Sequence, residues 1–149
     1  MNWVQEKIKD YYAVWLGIDR AYEEWASARH ITSHTLFVLY GVWQNNGHST
    51  QKQICEQWCM PKQTVHTILK SLQERDMLEI RPLPTDRRNK EIRFTSSGRE
   101  FADQILGELF SLEETVMVQM GETQCEQMIK SGHLFLELFQ KNMKKGNQF

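Results

Sequence analysis

The sequence has little of what marks secreted or membrane-spanning proteins. Its 149 residues include three cysteines, an odd number that argues against a disulfide-stapled fold and predicts reduced thiols. No uninterrupted apolar run approaches the ~20 residues that cross a bilayer, and the first residues lack the basic and then apolar layout of a secretory signal. We therefore expect a single folded domain, residues 1–149, that stays in the cytoplasm.

The residue patterns of enzymes and cofactor sites are also missing. The sequence shows no nucleophile beside a base and no Gly-rich phosphate loop, since its eight glycines are scattered. The fractions of hydrophobic and charged residues, 40% and 25%, are those of an ordinary folded protein. The sequence therefore predicts a binding protein that is not an enzyme and holds no cofactor.

Charge is divided unevenly along the chain, although the formal net charge is only -1. Residues 60–99 carry nine lysines and arginines against five aspartates and glutamates, a local net charge of +4, and the rest of the chain carries -5. Attraction to phosphate depends on the face that is presented and not on the total. A basic centre between acidic ends is therefore compatible with binding to duplex DNA.

Apolar periodicity predicts two helices at the start of the chain. Residues 3–29 carry apolar side chains, many of them aromatic, at every third or fourth position. A second helix, capped by Thr32 or Ser33, is apolar nearly all round and ends at the turn signal of residues 45–47. We expect this second helix to be buried.

Two short helices joined by a tight turn are predicted next. Thr50 and Gln53 form a capping-box pattern that opens the first of them. After the turn at residues 59–60, Pro61 suits the first position of the second, which runs to about Arg75. Its apolar residues stand at i, i+3, i+4 and i+7 and so face a core; they are Val65, Ile68, Leu69 and Leu72.

The sequence pattern then changes from helical to alternating. Residues 77–81 and 91–95 are short alternating runs that predict a β-hairpin with a basic tip. Thr95 caps a helix of roughly residues 96–120, and a final helix spans about residues 123–142. The predicted fold class is mainly α with a small β-hairpin wing, a winged helix-turn-helix with six helices.

The second helix of a winged helix-turn-helix can enter the major groove of DNA. Opposite the apolar stripe, this helix carries only polar or basic residues before Glu74, whereas an ordinary solvated face mixes both signs. We expect Gln63 to read adenine and the two lysines to hold phosphates. The candidate DNA-binding residues are Lys62, Gln63, Thr64, His66, Thr67 and Lys70.

The hairpin tip is the second candidate DNA contact. It places Asp86 among Arg87, Arg88 and Lys90 at a turn from which basic side chains can reach a minor groove. We expect Asp86 to orient the loop by pairing with a neighbouring arginine. The alternative for this segment is a solvated charged turn.

Together these residues resemble a known family. The Asp86-Arg87-Arg88 wing ends in a helix cap of the form Thr-x-x-Gly at residues 95–98, and the stretch from Thr50 to Arg99 thus resembles the core of the MarR family of bacterial regulators. The family commonly has glycine where Asp76 stands, so we expect a slightly different turn there. Further matches lie in the recognition helix and its exit, at Thr64-Val65, Leu69, Leu72 and Arg75-Asp76-Met77-Leu78.

The resemblance implies a homodimer that binds a pseudo-palindromic operator through two recognition helices. Such a regulator acts most simply as a repressor that covers promoter sequence and is released by a small ligand or by oxidation. Independently, the terminal helices bear apolar faces too large for one domain core to cover. We expect residues 33–99 to form the DNA-binding core, and residues 1–30 and 100–145 to form the dimerisation helices. The alternative from a different class is a winged-helix module that binds a protein partner and no DNA.

The sequence contains candidate residues for three kinds of sensor site: redox, metal and small-molecule. Cys55 and Cys59 share a helix face if the helix continues that far, and they are a possible redox switch, although buried cysteine is more often simple packing. His30 and His34, or His48 near the cysteines, have too few partner ligands, so no metal site is predicted. A pocket for a small aromatic effector is a further hypothesis; its candidate residues are Tyr11, Trp15, Tyr40 and Trp43.

Overall fold

The computed structural model describes residues 2–146, with the backbone alone for the last two of them. Six helices and three strands occur in this range, which confirms the predicted fold class. The helices are α1 (Trp3–Ser27), α2 (Ser33–Gln44), α3 (Gln51–Trp58), α4 (Lys62–Glu74), α5 (Ser96–Met120) and α6 (Glu122–Gly146). The strands are β1 (His48–Thr50), β2 (Leu78–Pro82) and β3 (Lys90–Phe94).

Helix α2 is held at its start by two side chains. The Thr32 hydroxyl accepts the backbone N–H of Thr35 at 3.1 Å, so Thr32 and not Ser33 is the cap. The Ser33 N–H donates to a carboxylate oxygen of Glu23 on α1, at 2.8 Å. The predicted burial of α2 is confirmed, since Leu36, Val38, Leu39 and Val42 are fully buried.

Helices α3 and α4 form the predicted pair around a tight turn. The capping box of Thr50 and Gln53 is present at the start of α3. The helix ends at Trp58, because Cys59 adopts a left-handed conformation with φ of 50°, so the condition for Cys55 and Cys59 to share a helix face is not met. Pro61 is the N-cap of α4 and not its first helical residue, because its ψ of 140° is still extended.

The three strands form one antiparallel sheet in the order β1-β3-β2. Ile92 of β3 lies between its partners Ser49 of β1 and Ile80 of β2. The hairpin of β2 and β3 is as predicted. Strand β1 is not, because three residues between a turn and a helix cap give no alternating pattern to read.

The apolar stripe of α4 enters the hydrophobic core. Val65, Leu69 and Leu72 are buried there together with Ile54 of α3 and Ile92 of the sheet. Because this face of α4 is fixed by burial, the polar face of the helix is fixed toward solvent.

The chain divides into two compact units. The first extends to Leu106 and contains α1 to α4, the sheet and the start of α5. The second begins at Gly107 and contains the remainder of α5 and helix α6, joined by a turn at Gly121. None of the helices in residues 2–146 combines the length and the apolar character that a membrane span requires.

Candidate nucleic-acid interface

The outward face of α4 presents the side chains that the sequence singled out. Five of the six candidates are exposed and Thr64 is partly buried. Lys62 and Lys70 form no ion pair with a carboxylate in the described range, and the Gln63 side chain makes no hydrogen bond there. The hydroxyl of Thr67 donates to the Gln63 carbonyl oxygen at 3.0 Å. Two lysines and one amide are thus available to an external partner.

A side chain of α3 forms a hydrogen bond that holds the start of α4. The Gln51 side chain donates a hydrogen bond from Nε2 to the carbonyl oxygen of Lys62 at 3.1 Å. No side chain caps the N-terminus of α4, so its first N–H groups stay open to an outside acceptor such as a phosphate. The hydrogen bond from Gln51 was not foreseen, because a contact between two helices leaves no pattern in the sequence of either one.

The tip of the β2–β3 hairpin is a tight turn organised by Asp86. Its carboxylate accepts the backbone N–H of Arg88 at 3.0 Å, and its carbonyl oxygen accepts the N–H of Asn89. Asp86 therefore orients the loop, as expected, but through the backbone amide of Arg88. The expected side-chain pairing with an arginine is wrong, because an Asx-type turn uses the carboxylate for its own backbone.

Arginines on the hairpin strands are paired, whereas those at the tip are not. Arg81 on β2 binds Glu79 at 2.7 Å, and Arg93 on β3 binds Glu91 at 3.1 Å. By contrast, the exposed side chains of Arg87, Arg88 and Lys90 form no ion pair with any described residue. The positive charge of the hairpin is therefore concentrated at its tip.

The hairpin is joined to the end of α4 and the start of α5 by a network of hydrogen bonds. The Thr95 hydroxyl donates to the Asp76 carbonyl oxygen at 2.6 Å and accepts the N–H of Gly98 at 3.0 Å. Ser97 donates to the same carbonyl at 2.9 Å. Gly98 is buried directly against the backbone of Met77, where a Cβ would overlap the Met77 carbonyl. This contact explains why the Thr-x-x-Gly cap needs glycine.

The four residues of the predicted effector pocket lie in two stacked pairs. Tyr11 and Trp15 on α1 have ring centroids 6.1 Å apart, and Tyr40 and Trp43 on α2 have centroids 6.2 Å apart. The Trp43 indole N–H donates to Asp103 at 2.8 Å, and this hydrogen bond, with a smaller contribution from Arg99, lowers the pKa of Asp103. The pocket itself stays a prediction.

A cavity of about 520 Å³ lies elsewhere, between the α1–α2 junction and the end of α4. It was missed because its polar residues are far apart in sequence and follow no motif. The residues that line it are Glu23, Ser27, His30, Ile31, Thr32, Thr35, Ile68, Ser71, Leu72 and Arg75.

The cysteines considered as a redox pair are free thiols. Cys55 is partly buried against the core and Cys59 is exposed at the turn before α4. Within residues 2–146, no three side chains among histidine, cysteine, aspartate and glutamate come together in a way that would hold a metal ion.

Comparisons with known proteins agree with this architecture. Residues 31–89 match the model of the MarR family, whereas no curated protein matches the sequence significantly. The fold is similar to that of a MarR family regulator from Neisseria meningitidis, with a TM-score of 0.79 and 21% identity over 98% of this chain and 99% of that one.

Two solved structures from Staphylococcus aureus are also similar. MepR in a complex with DNA has a TM-score of 0.70 and 21% identity, covering 87% of this chain and 94% of its own. MarR in complex with salicylate and kanamycin has a TM-score of 0.72 and 18% identity, covering 93% of each chain.

Proposed function

Because the match over residues 31–89 and the shared fold support a MarR family winged-helix regulator, we propose that this chain is a sequence-specific, double-stranded DNA-binding regulator of transcription. The observation that carries the proposal is the distribution of unpaired cations. Lys62 and Lys70 on α4, and Arg87 and Arg88 at the hairpin tip, have no carboxylate partner in the described range, although neighbouring arginines on the strands do. Phosphate contacts supply most of the affinity of such proteins.

In this proposal α4 enters the major groove and the hairpin tip follows the adjacent minor groove. Gln63 has the amide donor and acceptor that recognise adenine, and no described residue competes for them. Lys62 and Lys70 hold phosphates. Arg88 enters the minor groove from a tip whose backbone Asp86 fixes.

We propose that the regulator acts as a homodimer on a pseudo-palindromic operator, with half-sites about one helical turn, ~34 Å, apart. The support is apolar surface that a monomer would leave in water. In the first unit α1 exposes Trp3, Val4, Ile8, Tyr11, Tyr12, Val14, Trp15, Leu16 and Ile18. In the second unit α6 exposes Met128, Ile129, Leu134, Phe135, Leu136, Leu138, Phe139 and Met143.

The finer proposal is a repressor in the cytoplasm that leaves DNA when a small ligand or oxidation favours another dimer geometry. The similar MarR structure from Staphylococcus aureus contains salicylate, which supports a small aromatic effector. Oxidation is supported by the position of Cys59, which is exposed at the turn that precedes α4. A change at that turn would alter the start of the recognition helix.

The alternative of a protein-binding module without DNA binding is not favoured by the surface of α4. A protein interface has an apolar centre, but Val65, Leu69 and Leu72 are buried and Ile68 is partly buried. No large apolar side chain of α4 is exposed, and its face is polar and basic.

The test is binding of the purified protein to its own upstream DNA and to a scrambled duplex of equal length, at about 50 and 200 mM salt. We expect tighter binding to the upstream fragment and a steep loss of affinity at the higher salt. Equal affinity for both duplexes would mean that the operator lies elsewhere. No binding at low salt would overturn the proposal in favour of a protein partner.

A further inference from the structure

Sulfur-containing side chains are concentrated at the turn between α5 and α6. Residues 117–128 contain three of the seven methionines, Met117, Met120 and Met128, together with Cys125. The turn is closed by Gly121, which has φ of 83°, and by the hydrogen bond from its N–H to the Met117 carbonyl. All of these residues belong to the second compact unit.

Two of the sulfur atoms are in direct contact across the turn. The Sγ of Cys125 on α6 lies 3.4 Å from the Sδ of Met117 on α5, and 3.5 Å from the Met117 carbonyl oxygen. Met128 follows Cys125 by three residues and Met120 follows Met117 by three, so each lies on the same helix face as its neighbour. Met117 and Met120 on α5 are 42% and 37% exposed, so dissolved ions can reach this side of the cluster.

Thiolate and thioether sulfurs are soft ligands that select Cu(I) and similar ions over hard cations. We propose that Cys125 and Met117 form a binding site for a soft monovalent metal ion, Cu(I) or Ag(I), with Met120 as a further thioether ligand. Binding replaces the thiol proton of Cys125 by the metal, and the proton goes to solvent. No change of oxidation state is involved.

The geometry needs only a small adjustment. With metal–sulfur bonds of about 2.3 Å, a trigonal site has sulfurs ~4 Å apart. The two sulfurs would therefore separate by about half an ångström, which the flexible methionine side chain can supply by rotation. The inference does not rest on the proposed DNA binding, since none of these residues lies on α4 or the hairpin.

The experiment measures Cu(I) affinity by competition with a chromophoric Cu(I) chelator, under anaerobic conditions and with the full chain. Because Cys55 and Cys59 offer competing thiols, the reference protein is the C55S/C59S variant. We expect this variant to bind one Cu(I) per chain. Adding Cys125→Ser should abolish tight binding, and adding Met117→Leu, which conserves volume, should weaken it by about tenfold or more.

The matched control is Met143→Leu, a methionine that is also exposed on α6 but lies outside the cluster. It should leave the affinity unchanged. The proposal is overturned if the C55S/C59S protein fails to take Cu(I) from the chelator, or if Met117→Leu binds as tightly as the reference. A circular dichroism melt of each variant shows that a lost site is not a lost fold, and the conservative Met117→Leu keeps the test valid if Cys125→Ser does not fold.

Discussion

Asp76 and Gly98 both hold the hairpin against its neighbouring helices, Asp76 by accepting hydrogen bonds and Gly98 by having no side chain. Asp76 is one of four non-glycine residues with positive φ in the described range, at 57°, and its carbonyl oxygen accepts two hydroxyl hydrogen bonds, from Thr95 and Ser97. It adopts a left-handed conformation that glycine favours. Position 98 requires glycine for a different reason: any side chain there would overlap the backbone of Met77.

Gly98→Ala should therefore destabilise the protein by about 1–3 kcal/mol, because the new methyl group must displace the Met77 backbone. The measurement is the free energy of unfolding in urea. The matched control is Gly107→Ala in the same helix, where a Cβ meets nothing within 4 Å and the helix should gain up to about 1 kcal/mol. Equal effects of both substitutions would contradict the account of Gly98.

Gln63 is the residue on which base recognition is predicted to depend. Gln63→Ala should relax the preference for adenine at one position of each half-site and cost about 1–3 kcal/mol on the preferred sequence. Gln73→Ala, at the far end of the same helix, is the control and should change neither. Competition between operator variants, measured by fluorescence anisotropy, checks this; an unaltered base preference in Gln63→Ala would remove Gln63 from the reading face.

At the scale of the element, the hairpin has two kinds of arginine. Those on the strands form ion pairs, and those at the tip form none with any described residue. The arginines on its strands neutralise glutamates of the same strands, and the backbone of the tip is fixed by the Asp86 turn. Helix α4 shows the same division, with a buried stripe that orients the helix and a polar face left free.

The wing prediction follows from this separation. Arg88→Ala should weaken DNA binding by about 1–3 kcal/mol, whereas Arg81→Ala, in the same hairpin but paired with Glu79, should change it little. Electrophoretic mobility shifts with the upstream fragment measure both. If the two variants lose the same affinity, the tip has no special contact with the minor groove.

A carboxyl group at the junction of α1 and α2 should make the free energy of unfolding depend on pH in the acidic range. Hydrogen bonds from the Ser33 hydroxyl and amide, with a smaller effect of His34, lower the pKa of Glu23 below its ordinary value of 4.5. A carboxyl group with a lowered folded pKa stabilises the protein above its ordinary pKa, and this contribution is lost as pH falls below it.

Glu23→Gln should therefore lower stability at neutral pH and flatten the loss of stability between about pH 6 and pH 3. The free energy of unfolding is measured at several pH values in this range. Glu24→Gln, at the next position of α1, is the control and should keep the slope of the original protein. A Glu23→Gln variant with that same slope would contradict the role of this carboxylate.

The elements were predictable where a local pattern specifies them, and not where a distant contact does. The capping box at Thr50 and the stripe of α4 each leave a signal within one turn of helix, and both are present. Strand β1 exists only because β3 lies beside it. The exposure of the candidate DNA-binding residues was predictable because they share one face of one helix. The hydrogen bond from Gln51 to Lys62 was not, because it joins two helices.

At the scale of the whole molecule, many large apolar side chains are exposed to solvent. Helix α1 exposes large side chains over much of its length, among them Trp3 at 72% and Trp15 at 54%. Such surface is unusual for a monomer and ordinary for a dimer interface. We therefore expect a dimer in solution.

Analytical ultracentrifugation checks this expectation. Ile8→Glu places a charge on the exposed apolar face of α1 and should raise the dimer dissociation constant by at least about 30-fold, the effect of a hot-spot residue. Lys9→Glu changes the charge of the adjacent, polar position and should not. A monomer in the unmodified protein, or a dimer that tolerates Ile8→Glu, would contradict a dimer interface on α1.

In the proposed complex with DNA, the pairing of the strand arginines affects the counterions that binding releases. A cation that already neutralises a glutamate displaces few counterions from the duplex, so Arg81 and Arg93 contribute little to counterion release. The cations that the proposal assigns to phosphates in one chain are the two lysines of α4, Lys62 and Lys70, and the three basic residues of the tip, Arg87, Arg88 and Lys90. For a dimer, ten phosphate contacts set an upper limit of about -9 for the slope of log affinity against log salt concentration.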